Sequence, residues 1–358
     1  MAGLLPAAAA AQTSAVNIAR NKPADLPTTE LRAIPPMPLP LASSKGTAVR
    51  AAARTPIVQT DTVVPATEPV PADPGTFLPL DAAAPAQGGS GAATGQNGRS
   101  KGTAGYPFTT TRVFPDQAVT TAPYRMSGKV YFRNPRTNAW YMCTGSLIAP
   151  RLVLTAGHCV YEAVGKYYYT DFRFIPAYNA TATTQPYGQW GWAAVHTTSS
   201  WMNGGGTVPN AADFGIIEIA DMSIAGSVRK VGDYLGYYGF ATGRLLTNHV
   251  TAIGYPGNID SGGRMIANAG EVRTFNAVSG VAGSSMGGGS SGGPWLEDFG
   301  VLGSGQLLAN SASNRVVGVT SFGPSGGPYP YFFQGSSILN SEFLSMRTTA
   351  CNRQAGNC

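Results

Sequence analysis

Three stretches of the chain hold residues whose types and spacing suit acyl transfer. In Gly289-Ser290-Ser291-Gly292-Gly293-Pro294 a serine hydroxyl stands among glycines. Acyl transfer needs a nucleophile and nearby backbone N–H donors for the oxyanion that develops. Glycines permit the tight backbone that turns such donors toward one point. Ser291 is the candidate nucleophile, with the amides of Gly289 and Ser291 as oxyanion donors. Taken alone, this Gly/Ser-rich run reads equally well as a flexible loop. In Leu152-Val-Leu-Thr-Ala-Gly-His158-Cys159 an apolar run ends at a small-residue corner that presents one of only three histidines, the others being His196 and His249. Imidazole suits a general base because its ordinary pKa, about 6.5, lies near working pH. The third stretch is Asn210-Ala-Ala-Asp213-Phe214-Gly-Ile-Ile-Glu218-Ile219. Asp213 stands at the mouth of an apolar strand, where a buried carboxylate could hold the second nitrogen of His158. A turn aspartate that merely starts a strand is the bland alternative. Glu218 alternates with the apolar face and is expected in solvent. Asp171, Asp221 and Asp233 open no such strand.

The elements that must position these residues are short and β-rich. Runs at 129–132, 140–148, 152–155, 168–174, 214–219, 250–255, 270–275 and 316–322 predict strands, separated by Gly, Pro and Asn turns. Such a pattern indicates an all-β sandwich or barrel. One helix is expected, at 338–346, where Ile338, Leu339, Phe343 and Met346 share a face. All of this lies after residue 106.

The region before it differs. The opening Met1-Ala-Gly-Leu-Leu-Pro and the alanines that follow resemble the end of a secretory signal over residues 1–11, although a basic n-region is missing. Residues 12–105 are rich in Ala, Pro and Thr, and runs such as Ile34-Pro-Pro-Met-Pro-Leu-Pro bury too little to fold alone. They are expected to be extended or disordered. The Gly/Ser-rich stretch 88–105, with Arg99 and Lys101, looks like a cleavable linker, and the whole reads as a pro-segment or a spacer.

Composition narrows the function classes. The formal charge is +6, and 16 basic and 12 acidic residues remain in 106–358. No block of basic residues marks a nucleic-acid arm, so no nucleic-acid partner is expected. No run reaches the roughly 18 apolar residues of a membrane span, so no membrane partner is expected either. The four cysteines, Cys143, Cys159, Cys351 and Cys358, allow three connectivities, of which local pairing is the simplest. A Cys143–Cys159 bridge would contribute about 3 kcal/mol on the loop-entropy account. An even cysteine count without zinc-ligand spacing favours an oxidising compartment and predicts no metal or other cofactor.

Taken together, the candidates run His158, Asp213, Ser291, spaced 55 and 78 residues apart. In this order Thr155-Ala-Gly-His158-Cys159 and Gly289-Ser-Ser291-Gly-Gly-Pro294 resemble the chymotrypsin-like serine proteases. Thr121-Ala-Pro-Tyr-Arg125, Cys143-Thr-Gly-Ser-Leu-Ile148, Pro186-Tyr-Gly188, Asp213-Phe-Gly-Ile-Ile217 and Gly254-Tyr-Pro-Gly257 bring the chain nearer to the bacterial glutamyl endopeptidases of the V8 type, over residues 110–345. The resemblance implies two packed six-stranded antiparallel β-barrels, about 117–230 and 231–345, with a C-terminal helix. It implies a secreted, monomeric endopeptidase made as a zymogen, whose partners are polypeptide substrates.

Two departures qualify the resemblance. Chymotrypsin-like zymogens carry an aspartate before the nucleophile to pair with a freed N-terminus; here Ser290 stands there, as a neutral residue does in the V8 type. Alignment puts Ser285, Met286, Thr320, Ser321, Phe322 and Gly323 on the primary pocket, with Ser321 also touching Asp213. Glutamate-specific members have a histidine where this chain has Thr320, so a neutral preference is expected before the cut. The rival from another class is a protease-like binding protein without turnover. An α/β-hydrolase esterase is disfavoured, since that fold orders its triad as serine, acid, histidine.

Overall fold

The computed structural model describes residues 16–18, 25–42, 63–64, 107–300, 314–324 and 333–358. The expected signal remnant at 1–11 and the linker at 88–105 lie outside the described residues. Before the barrels come strand β1 (Val16–Ile18), helix α1 (Thr28–Ala33) and strand β2 (Val63–Val64), followed by β3 (Phe108–Arg112). Within the segment expected to be extended or disordered, 34–42 is extended and α1 is an added helix.

The first barrel uses β4 (Ser127–Arg133), β5 (Trp140–Ala149), β6 (Leu152–Thr155), β9 (Thr170–Pro176), β10 (Trp190–Thr197) and β11 (Gly215–Ile219), with the small hairpin of β7 (Tyr161–Glu162) and β8 (Tyr167–Tyr168) between β6 and β9. Helix α2 (Ser199–Asn203) follows β10. The order β10-β11-β6-β5-β4-β9 closes because β9 pairs back onto β10 at Trp190↔Phe174. Closure removes the open strand edges that a sheet of this size would expose. Its interior is aromatic: Tyr131, Phe132, Phe172, Phe174 and Trp190 are fully buried. β1 pairs with the half of β10 that β9 leaves, through Val16↔His196.

A surface hairpin, β12 (Met222–Ile224) with β13 (Ser227–Arg229), and helix α3 (Val231–Leu235) lead to the second barrel. There β14 (Gly239–Ala241), β15 (His249–Gly254), β16 (Ile266–Asn276), β17 (Ser279–Gly283), β18 (Pro294–Glu297), β19 (Arg315–Val319) and β20 (Phe333–Ser337) run in the order β14-β19-β18-β15-β16-β17-β20. The ring of six, β15 to β20, closes through the bridge Phe322↔Gly335. β3 covers the first half of β16, and β2 pairs with β14. Along β16 the alternation shows directly: Ile266, Asn268, Gly270 and Val272 face inward. The mostly-β double barrel with a C-terminal helix is the fold that the sequence predicts.

The C-terminal helix α4 spans Ser341–Arg353, beginning later and running further than expected. Asn340 caps it by accepting from the amides of Glu342 and Phe343, so Ile338 and Leu339 precede the helix. Phe343 packs against Phe214 and Phe240, which fixes α4 to the barrels. Disulfides join Cys143 to Cys159 and Cys351 to Cys358. The placement of α4 corrects the reading of Glu218. Its side chain is fully buried, accepting from His196 Nε2 at 2.5 Å, Arg353 Nε at 2.5 Å and Asn357 Nδ2 at 2.8 Å. Burial would raise this carboxyl's pKa, but the bonds from His196 and Arg353 outweigh it and hold it below the usual value. Alternation along β11 fails as a guide because α4 covers the face that would otherwise meet solvent.

Candidate active site

Strand register brings the first two candidates together. β6 and β11 are antiparallel, with Thr155 opposite Gly215. The chain that leaves β6 at His158 therefore meets the chain that enters β11 at Asp213. His158 sits in a single tight turn, Gly157–Cys159, and the Cys143 disulfide pins that turn to β5. Gly157 is required for the approach: a Cβ there would lie 2.9 Å from Asp213 Oδ1 and 2.8 Å from the Trp201 ring. Trp201, in α2, places its ring at a tilt to the imidazole of His158, with centroids 6.0 Å apart.

Asp213 is fully buried and accepts three hydrogen bonds. His158 N donates to Oδ1 at 2.9 Å, and Ser321 Oγ donates to Oδ2 at 2.6 Å. The third contact joins His158 Nδ1 to Oδ2 at 2.8 Å. A carboxylate can only accept, so Nδ1 carries the proton and the neutral ring presents a bare lone pair at Nε2. That Nε2 atom is buried and has no hydrogen-bond partner among the described residues.

The same register logic places the third candidate. β18 and β19 are antiparallel with Pro294 opposite Val319, so Ser291 to Gly293 run beside Thr320 and Ser321. Gly292 N donates to Thr320 O at 2.8 Å, and Thr320 N donates to Gly293 O at 2.9 Å. Gly292 has φ +76°, and a Cβ there would land on Thr155 Oγ1, so only glycine lets the serine turn abut the first barrel. Ser291 O accepts from Thr144 N at 2.8 Å. Thr144 neighbours Cys143, whose disulfide reaches the turn that holds His158. Ser291 Oγ, like His158 Nε2, is buried without a partner among the described residues.

Two residues that the sequence did not single out organise this turn. Thr144 Oγ1 donates to Gly289 O at 2.9 Å and accepts from Tyr255 N at 3.0 Å, so one side chain of the first barrel ties the turn at Gly289 to the second. Its only signal was its place after Cys143. Gln334, fully buried on β20, accepts from Ser284 Oγ at 3.0 Å and donates to Ser290 Oγ at 2.7 Å. It clamps both ends of the loop before Ser291, and Ser290 Oγ in turn donates to Gly287 O at 2.6 Å. A lone amide in a short strand carries no sequence signal of that role.

The six residues assigned to the primary pocket are not equally available to a ligand. Ser321 is engaged with Asp213. Thr320 Oγ1 accepts from Trp295 Nε1 at 3.0 Å. The Phe322 ring packs on Gly335 and on Phe275, with ring centroids 5.6 Å apart. Met286 is buried, with its sulfur near Gly254, and Ser285 N donates to Thr110 Oγ1 at 3.3 Å. Gly323 uses its backbone too, donating to Pro40 O at 2.8 Å and accepting from Ala42 N at 2.9 Å. Behind Met142, Lys129 is buried with Nζ bonded to Gly262 O at 3.1 Å and lying over Tyr131 and Tyr178, 5.0 and 4.4 Å from the ring centroids. Burial lowers its pKa to about 7.

Comparison with known proteins bears on the fold and on part of the first barrel. The Trypsin family matches residues 116–211, which include His158 but stop before Asp213 and Ser291. A glutamyl endopeptidase of Bacillus licheniformis is 31% identical over 122 residues, 34% of each chain. A protein of Bacillus subtilis named extracellular metalloprotease is 27% identical over 142 residues, 40% of each. The matches thus span about a third to two fifths of these relatives. Among solved structures, protease Anisep from Arthrobacter nicotinovorans has a TM-score of 0.52 at 23% identity, covering 68% of this chain and all of that one. A Glu endopeptidase has a TM-score of 0.50 at 22% identity, covering 68% of this chain and 97% of that one. These structural likenesses speak to the fold.

The name of the Bacillus subtilis relative raises a metal. Among the described residues, the grouped His, Cys, Asp and Glu ligand atoms are those of Cys143, His158 and Cys159. Both sulfurs are spent in one disulfide and cannot serve as thiolate ligands, so this donor set does not fit a metal ion. In fold the chain is a trypsin-like double barrel, its residues 116–211 match the Trypsin family, and bacterial glutamyl endopeptidases are among the proteins it resembles.

Proposed function

We propose that the chain is a secreted serine endopeptidase acting through His158, Asp213 and Ser291. The observation that carries this reading is the pairing of commitments at the site. Asp213 has every close donor it needs, His158 Nδ1 is held by it, and the two atoms left buried without partners are His158 Nε2 and Ser291 Oγ. Catalytic hydrogen bonds are often loose until substrate arrives, so the missing bond between these two atoms is compatible with the role. Ser291 Oγ attacks the scissile carbonyl as its proton passes to Nε2. The amides of Gly289 and Ser291 hold the oxyanion. The imidazolium, stabilised by Asp213, then gives its proton to the departing amine, and water releases the acyl group by the same steps.

The remaining parts of the reading follow from the pocket and the leader. With the Thr320 hydroxyl committed to Trp295 and no histidine beside it, no described group there favours a substrate carboxylate, which supports a neutral residue before the cut. The described residues contain no helix long and apolar enough to cross a membrane, and two disulfides suit an oxidising compartment. Removal of residues up to about 105 would yield the mature enzyme.

The test is covalent labelling of Ser291 by a fluorophosphonate probe, with peptide hydrolysis measured alongside, on the processed protein and on Ser291→Ala. We expect labelling and turnover in the former and neither in the latter. A processed protein that is folded but never labelled would instead be a binding protein on a protease scaffold.

A further inference from the structure

Residues 35–42, Pro-Pro-Met-Pro-Leu-Pro-Leu-Ala, lie along the cleft between the barrels and make five backbone hydrogen bonds to its rims. At the first barrel, Met142 N donates to Pro35 O at 3.1 Å and Met37 N donates to Met142 O at 2.8 Å. In the middle, Gly289 N donates to Met37 O at 3.0 Å. At the second barrel, Gly323 N donates to Pro40 O at 2.8 Å and Ala42 N donates to Gly323 O at 2.9 Å. The side chains fit as well. A Cβ on Gly323 would lie 2.7 Å from Leu39 Cδ2, and one on Gly257 would lie 2.6 Å from Pro36 Cγ. Upstream, Leu26 exchanges two hydrogen bonds with Gln189, and Leu31 is buried with its carbonyl on Tyr131 OH. The run is anchored before it enters the cleft.

The sequence suits this use. Prolines at 35, 36, 38 and 40 have no N–H to satisfy, and two of them supply the carbonyls that the rims bind. Proline also holds the chain extended before docking, which reduces the entropy lost on binding.

The polarity of the run decides what it does. Both rim pairings, Pro36↔Met142 and Leu41↔Gly323, are parallel. In the proposed reaction the acyl part of a substrate lies toward Thr320–Gly323, and the departing amine lies toward Met142. A productive peptide therefore runs from Gly323 to Met142. Residues 35–42 run from Met142 to Gly323. With the Met37 carbonyl on the oxyanion donor Gly289, the nitrogen that would have to leave is that of Pro38. It points toward Gly323, away from the rim where the Cys143–Cys159 bridge joins Met142's neighbour to the turn of His158, which must protonate the leaving group.

We infer that residues 35–42 are a built-in inhibitor that fills the substrate cleft in the reverse direction, and that Met142, Gly289 and Gly323 form a docking surface for proline-rich extended peptides of that polarity. This rests on the proposed catalytic reading. The strap blocks the oxyanion site and both rims, and its polarity protects it from the enzyme it blocks.

The experiment compares three full-length proteins by the rate of fluorophosphonate labelling at Ser291: the parent, one with 35–42 replaced by a Gly/Ser run of equal length, and one with the eight residues in reverse order. We expect the parent to label at least about 30-fold more slowly than either variant and to keep 35–42 uncut by mass spectrometry. Equal, measurable rates for parent and Gly/Ser variant would overturn the proposal, as would slow labelling of the reversed sequence beside a fast Gly/Ser variant or Ser291-dependent cleavage within 35–42. Hydrogen exchange on the full-length Ser291→Ala protein reads docking without catalysis or refolded variants. Slow exchange at Met37, Gly289, Gly323 and Ala42 is expected, and fast exchange at all four overturns the strap. Slow exchange in a protein that no variant renders reactive would sink the catalytic reading while leaving the docked strap in place.

Discussion

Replacing Lys129 by methionine should stabilise the protein, and more so at neutral than at alkaline pH. Lys129 is buried in the first barrel with no carboxylate beside it among the described residues; its partners there are Gly262 O and the faces of Tyr131 and Tyr178. Its pKa falls from 10.5 to about 7 on folding, because burial penalises the ammonium. A lowered lysine pKa means that the unfolded chain holds a proton the folded one does not, between the two values. Stability therefore rises with pH across that window. The penalty is absent above 10.5, grows as pH falls, and is constant below about 7. At about 1.4 kcal/mol per pH unit, its full size is roughly 5 kcal/mol. The two ring faces favour the charged form by up to ~2 kcal/mol each, which brings the lower bound to ~1 kcal/mol. Methionine fills a similar volume, but leaves Gly262 O unpaired at a cost of about 1 kcal/mol that does not depend on pH. The pH-dependent part is thus the test. In a Ser291→Ala background, to prevent self-digestion, urea unfolding of parent and Lys129→Met would be measured at pH 7.0 and 9.5. The advantage of methionine should shrink by about 3 kcal/mol between them, or by ~1 if the rings hold the ammonium firmly. A difference that is flat over this range would refute the argument that burial of the charge governs this site.

Two further substitutions probe the site and its support. Asp213→Asn keeps the shape but cannot hold Nδ1–H in the same way; in the chymotrypsin template this change costs about 10⁴ in kcat, and a loss of 10³ to 10⁴ with an unchanged melting temperature is expected. Glu218→Gln leaves Arg353 and His196 without their carboxylate, and should destabilise by roughly 3 kcal/mol in urea unfolding while changing kcat little, because Glu218 lies at the far end of β11 from Asp213.

The parts of the site that were legible in the sequence are those made by strand ends. His158 follows β6 and Asp213 precedes β11, and an antiparallel pair necessarily brings such ends together. Ser291 and Ser321 obey the same rule at β18 and β19. What could not be read is what depends on a third element. Thr144 and Gln334 sit inside strands, where a polar residue looks like a solvent-facing one until the neighbouring loop is in place. Glu218 was misread for the same reason, since two-residue alternation assumes an open face and α4 closes it. The helix limits moved because Asn340 is a stronger start signal than the apolar periodicity that begins before it.

The strap shows where compositional reasoning stops. Residues 35–42 have too little to bury to fold alone, and that inference is sound for a free chain. It does not extend to a chain laid against a formed cleft. There the requirement is not a core but a match of backbone donors and acceptors, and a prolyl run with four N–H groups in eight residues leaves few donors to satisfy. The rims supply donors at Met142, Gly289 and Gly323. A segment that must hold those donors without being cut can do so by running in the reversed course. The parallel pairings at Met142 and Gly323 provide that course. Low complexity in the leader is therefore a property that its place in the cleft demands.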